Sequence, residues 1–168
     1  MTIEQSRNRP PLTEEIFATF GHIISGYASC EILMKALLSA MTSSEPIVIH
    51  TLTYGMTGPA LLLKIRALNA LDPDDKRREQ VEALIRRLEN TSALRNEIAH
   101  GSWTASHRPN AIRPSGMSVK AKGADVVGFT DTEKDYTPED LSKVADDLVL
   151  LGADLMSFLR ALGVTPGG

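Results

Sequence analysis

The sequence predicts a mainly α-helical single domain spanning residues 1–168: a four-helix bundle with a small antiparallel β-hairpin before the last helix. Two apolar seams carry that expectation. The first is Ile16, Phe20, Ile23, Tyr27, Cys30, Met34, Leu37 and Met41, in alternating steps of four and three. The second is Leu141, Val144, Leu148, Leu151, Leu155, Phe158 and Leu162. Between them, residues 102–130 switch to short alternating runs, the pattern of half-buried strands.

The elements follow in order. Met1–Leu12 is polar and ends in Pro10-Pro11, so it reads as an N-terminal arm outside the core. Thr13 caps the first helix, and Glu14 and Glu15 complement the positive end of its dipole. Thr42–Glu45 is a polar connector. Pro46–Tyr54 is open between two forms: Ile47, Val48 and Ile49 favour a strand locally, and a short helix feeding the bundle is equally compatible. Gly55–Pro59 breaks the chain, and Thr57 is placed to cap a helix through Leu62, Ile65 and Leu68 that ends near Leu71. Asp72-Pro73-Asp74 turns into the next helix. After Gly101, Ser102–Ser106 reads as a short strand and His107–Ser115 as a loop. Met117–Lys122 and Asp125–Thr130 form a hairpin about Gly123-Ala124. Thr137-Pro138-Glu139-Asp140 caps the last helix, and Gly163–Gly168 is expected to fray.

The helix opening at Asp74 contains the anomaly of the chain. Its apolar stripe, Val81, Leu84, Ile85 and Leu88, continues at helical spacing to Ser92, Arg95 and Ala99. An arginine therefore falls where a core side chain belongs. A guanidinium keeps its charge, so Arg95 requires an acid, a carbonyl or a bound anion. Asn96 and His100 share one helix face at a spacing of four, and Gly101 is expected just past the helix end in a left-handed conformation. Glu31 on the first seam has two readings: a half-exposed helical pair with Lys35, or an inward carboxylate that neutralises Arg95.

The run Arg95, Asn96 and His100, at the end of a long amphipathic helix, resembles the Arg-x4-6-His motif of the HEPN superfamily. That resemblance implies a HEPN-like four-helix bundle, a homodimer, and a metal-independent RNase site in which two motifs meet. It also implies a stress-response or phage-defence setting, with an antitoxin or other partner protein encoded separately. Under it, Arg95 holds the scissile phosphate as a bidentate donor, His100 moves the proton and Asn96 orients either, with Glu31 in support. The same families often carry a glutamate at the place of Glu31. The tyrosine that one toxin branch places two residues after the histidine is Ser102 here. The competing reading is a non-catalytic dimeric module in which Arg95, Asn96 and His100 are structural.

Composition narrows the alternatives. Net charge is −3 and the pI is about 5.8, so no overall basic field recruits nucleic acid. If RNA binds, Lys64, Arg66, Arg86 and Arg87 are the basic residues placed to touch phosphate; otherwise they form a solvated face. Aromatics make up 5% of the chain, too few for stacking platforms. The lone Cys30 gives no disulfide framework and fits a reducing cytosol. His22, His50, His100 and His107 lack metal-ligand spacing, so no metal or cofactor is expected, and His50 reads as exposed or structural. No Gly-rich phosphate loop or Gly-x-Ser-x-Gly elbow occurs. Neither a membrane-length apolar run nor a signal-peptide pattern is expected, which favours a cytoplasmic protein.

Overall fold

The seam from Ile16 to Leu37 folds as the buried face of α1 (Glu14–Thr42), where Ile23, Met34 and Leu37 have no exposed surface. Thr13 caps it by accepting from the Ile16 N–H at 3.3 Å. The computed structural model describes residues 12–114, 118–122, 125–130 and 134–164, with side chains outside 115–133. Along that chain follow α2 (Pro46–Leu52), α3 (Gly58–Asn69) and α4 (Asp75–His100). Strands β1 (Trp103–Ala105), β2 (Ile112–Pro114), β3 (Ser118–Lys122) and β4 (Asp125–Thr130) precede α5 (Pro138–Ala161). The architecture is thus mainly helical, with small antiparallel β structure before the last helix. Helix α1 touches every other helix and packs most extensively on α5; α4 bridges α3 and α5.

Several local expectations change. Pro46–Tyr54 resolves as helix: Pro46 starts α2, and burying Ile49 against the bundle outweighs the β preference of the Ile-Val-Ile run. Thr57 has the backbone conformation of a cap, but its side chain makes no cap bond. At the end of α4 the core position passes to Ile98, and Ala99 is exposed, because an isoleucine gains more by leaving water than a methyl group does. Leu12 packs against the core instead of belonging to a free arm; the rest of that arm lies outside the described residues.

Gly101 is not left-handed. Its φ of −85° and ψ of 158° are extended, its N–H donates to the Glu97 carbonyl at 2.8 Å, and the chain enters β1 two residues later. Glycine is needed for a different reason: a Cβ here would run into the Glu97 carbonyl oxygen. The expected loop 107–115 contains β2, which pairs antiparallel with β1 from Trp103↔Pro114 to Ala105↔Ile112. Asn110 makes the turn with φ 55°, and burial of Ala111 and Ile112 holds the ladder closed. A bridge from Ile112 to Tyr136 pins this hairpin beside the start of α5. Trp103 lies between Phe20 and Tyr136, at centroid distances of 4.8 and 5.9 Å.

The predicted hairpin of 117–130 is present as a separate pair, β3 with β4, its register shifting between Lys120 and Ala121. The turn at 123–124 and the side-chain alternation of these strands lie outside the described residues. In α5, Leu141, Leu148, Leu151, Leu155 and Leu159 are buried, while Val144, Phe158 and Leu162 flank them. The start of the tail is ordered, not frayed. Gly163, at φ 78°, donates to Arg160 and Val164 donates to Leu159, each at 2.9 Å, which closes the helix in a Schellman motif. Residues 165–168 lie outside the described residues.

Against the expectation of no membrane-length apolar run, α1 holds an 18-residue window of mean hydropathy 1.3, long and apolar enough by composition to cross a membrane. Of that window 39% is buried, as the seam packed against the other helices.

Helix α5 starts with a reciprocal capping box: Thr137 Oγ1 accepts from the Asp140 N–H at 3.2 Å, and Asp140 Oδ2 accepts from the Thr137 N–H at 3.0 Å. Thr137→Ala is therefore expected to lower the unfolding free energy by about 1 kcal/mol, read from urea titrations; an unchanged midpoint would show that the box is not holding the helix.

Candidate functional site

Arg95, Asn96 and His100 line one cleft of about 430 Å³, formed by the last turns of α4, the middle of α1 and the start of α3. Tyr27 and Glu31 line it from α1, Ser92 from α4, and Met56, Thr57, Gly58 and Pro59 close it. Asn96 and His100 are exposed at the end of α4, and Arg95 is half-buried. The antiparallel packing of α3 on α4 brings the beginning of one helix beside the end of the other, which creates this mouth.

Arg95 is held in an unusual way. Its Nη1 donates to Asn96 Oδ1 at 3.0 Å, its Cζ lies 5.4 Å from the centroid of the Tyr27 ring, and its Nε is buried with no hydrogen-bond partner. The cation–π contact contributes about 0.5–2 kcal/mol. An unsatisfied buried donor costs about 1–3 kcal/mol. Burial of Nε also closes the side-on fork between Nε and Nη2, leaving the two Nη groups to meet an anion end-on.

Glu31 is not the counter-ion of Arg95, and no ion pair joins them. Nor is Glu31 paired with Lys35. Its carboxylate instead lies over Gly58, where a Cβ would collide with Glu31 Oε1 and stand 2.8 Å from the Tyr27 hydroxyl. That location is the start of α3, and the positive end of the helix dipole favours a carboxylate there. Burial pushes the Tyr27 phenol above its ordinary pKa; a hydrogen bond with the Ser92 side chain opposes the shift.

The other basic residues proposed from the sequence do not line this cleft. Arg66 binds both Glu82 and Glu89 through paired bonds of 2.9–3.0 Å. Arg86 joins the same Glu82 at 3.1 Å, and Arg87 reaches across to Asp154 on α5 at 2.5 Å. Lys64 is exposed on α3, and His50 is exposed on α2. Among the described residues, no group of three His, Cys, Asp or Glu side chains is placed to hold a metal ion.

Sequence reasoning named the motif and Glu31 but missed Tyr27, Ser92, Thr57 and Gly58 as neighbours in one site. The available signal was polarity in the wrong place: Ser92 interrupts the apolar stripe of α4 one turn before Arg95, and Tyr27 brings a hydroxyl into the seam of α1. Gly58 carried no such mark, since its role is to leave room for side chains from α1. Comparison of the chain with protein-family models, curated proteins and solved structures finds no match.

The ion pairs along α3 and α4 set an expected acid response. Hydrogen bonds from Arg66 lower the pKa of Glu82 and Glu89, and a hydrogen bond from Arg77 lowers Asp72 to about 2. Carboxylates depressed in the native state take up protons first in the unfolded chain. Their stabilisation is therefore present above the unfolded values near 4 and is lost as pH falls through the native ones. Urea midpoints are expected to decline below about pH 4.5, and Arg66→Gln to make that decline shallower. An identical acid slope in Arg66→Gln would remove the Arg66 pairs as its cause.

Proposed function

We propose that this chain is a HEPN-like metal-independent endoribonuclease acting as a homodimer, with Arg95, Asn96 and His100 as its motif. The observation that supports this most is the convergence of all three on one open cleft, with Arg95 free of a carboxylate partner. A guanidinium without a carboxylate partner at the wall of a cleft is available to an anion.

The chemistry uses the substrate's own nucleophile. The RNA 2′-hydroxyl loses its proton to a base and attacks the adjacent phosphorus. The bond to the 5′-oxygen breaks, and that oxygen takes a proton from an acid, leaving a 2′,3′-cyclic phosphate and a 5′-hydroxyl. His100, an imidazole at an exposed helix end, takes one of these proton-transfer roles, and a second copy across a dimer supplies the other. Arg95 offers its Nη groups to the charge that grows on the phosphoryl oxygens, and Asn96 fixes the guanidinium through Nη1. The self-neutralised Arg66, Arg86 and Arg87 leave substrate recognition to the cleft rather than to a basic face. A stress or phage-defence role with a separate partner protein belongs to the same proposal.

One observation favours the alternative of a non-catalytic interaction module. Around α2, Ile47, Leu52 and Tyr54 are exposed at 70%, 68% and 84%, apolar surface that a partner molecule would remove from water.

Purified protein in chelator is expected to cleave a mixed RNA pool to cyclic-phosphate ends. His100→Ala and Arg95→Ala should each lower the rate by about a hundredfold or more while keeping the wild-type melting profile. Intact RNA with wild-type protein, at concentrations where it is dimeric, would favour the interaction module.

A further inference from the structure

We propose that Tyr27 is the positioning residue of the candidate site: it holds the Arg95 guanidinium so that only its Nη end is presented to a phosphate oxyanion. This inference rests on the anion-binding role proposed for Arg95. Three observations converge on it. The guanidinium lies over the Tyr27 ring at 5.4 Å, and its Nε is buried with no partner, so one edge of the group faces protein and the other faces the cleft. The ring itself is 2% exposed and belongs to the core seam of α1, a rigid support rather than a surface side chain. Its hydroxyl is confined from two sides, by the Ser92 side chain and by the start of α3, where Gly58 leaves just enough space.

Each contact limits a different freedom. The ring face sets the height of the guanidinium and, with Asn96 on Nη1, its rotation about the side-chain axis. The hydrogen bond of Arg95 goes to Asn96 and not to the hydroxyl anchors, whose part is to keep the ring from tilting away from the guanidinium. A tetrahedral oxyanion approaching the cleft then meets a group already oriented, which lowers the ordering cost of binding. The ring is the operative part, and the hydroxyl is a secondary support. Phenylalanine should therefore substitute for Tyr27, and a flexible side chain of similar volume should not.

Nitrogen-15 spectra of the arginine side chains test this, with inorganic phosphate as the probe at constant ionic strength. In the wild-type protein the Arg95 Nε–H signal should be displaced by the ring current of Tyr27 and should move saturably as phosphate is added. Tyr27→Phe should keep both properties, with affinity within about threefold. Tyr27→Met should lose the displacement and bind phosphate about tenfold more weakly while remaining folded. Phosphate binding that is unchanged in Tyr27→Met would overturn the positioning role, as would an undisplaced Nε–H signal in the wild type. If Tyr27→Met fails to fold, a loss of phosphate affinity in Tyr27→Phe equal to that of Arg95→Ala overturns it instead. Phosphate binding that depends on Tyr27, in protein that cleaves no RNA, would refute the nuclease proposal and leave the positioning role standing.

Discussion

Burial of the α1 seam is the constraint on which the rest of the molecule depends. Helix α1 touches each of the other helices, and its side chains from Ile16 to Leu38 supply one wall of the core along most of its length. Fully burying such aliphatic and aromatic groups is worth about 1.5–3 kcal/mol each, far more than any ion pair on this surface. The candidate site is a local departure from that rule. Where Tyr27 and Glu31 meet Ser92 and Arg95, the wall turns polar and the bundle opens into a cleft instead of closing. The same helix thus provides the rigid support and the groups that stand on it.

Much of this architecture was legible because long helices advertise themselves. The three-four spacing of Ile16 to Leu37 and of Leu141 to Leu155 left no competing periodicity, and Thr13, Asp74 and Thr137 marked the starts of their helices with side chains that do form caps. Short elements were harder. The Ile-Val-Ile run of α2 has strand propensity and becomes helix only because Ile49 finds a place in the core, a fact about its neighbours. Strand β2 was hidden by prolines and an asparagine that spell a loop, and it is held by burial of Ile112 and the bridge to Tyr136.

Within the site, the motif residues could be grouped from spacing on a single helix, since Asn96 and His100 share a face by geometry. Contacts between helices could not. Glu31 and Arg95 carry opposite charge at matching levels, and pairing them was a natural expectation; the structure instead places Glu31 over Gly58, which no single-helix pattern encodes. Gly101 teaches a similar lesson. Glycine after a helix suggests a left-handed turn, yet here the requirement is clearance from the Glu97 carbonyl on a straight path into β1.

The internal pairing of Arg66 with Glu82 and Glu89, and of Arg87 with Asp154, bears on how the surface interacts with polyelectrolytes. A protein that meets RNA through many free cations releases many condensed counterions, and its affinity collapses as salt rises. Here Arg66, Arg86 and Arg87 are already paired within the fold, and Arg95 faces the cleft. Binding there would release roughly one counterion, giving a slope of log affinity against log salt of about −0.7 for a single strand. Such a site would discriminate by the shape of one bound phosphate and respond only weakly to the ionic strength around it.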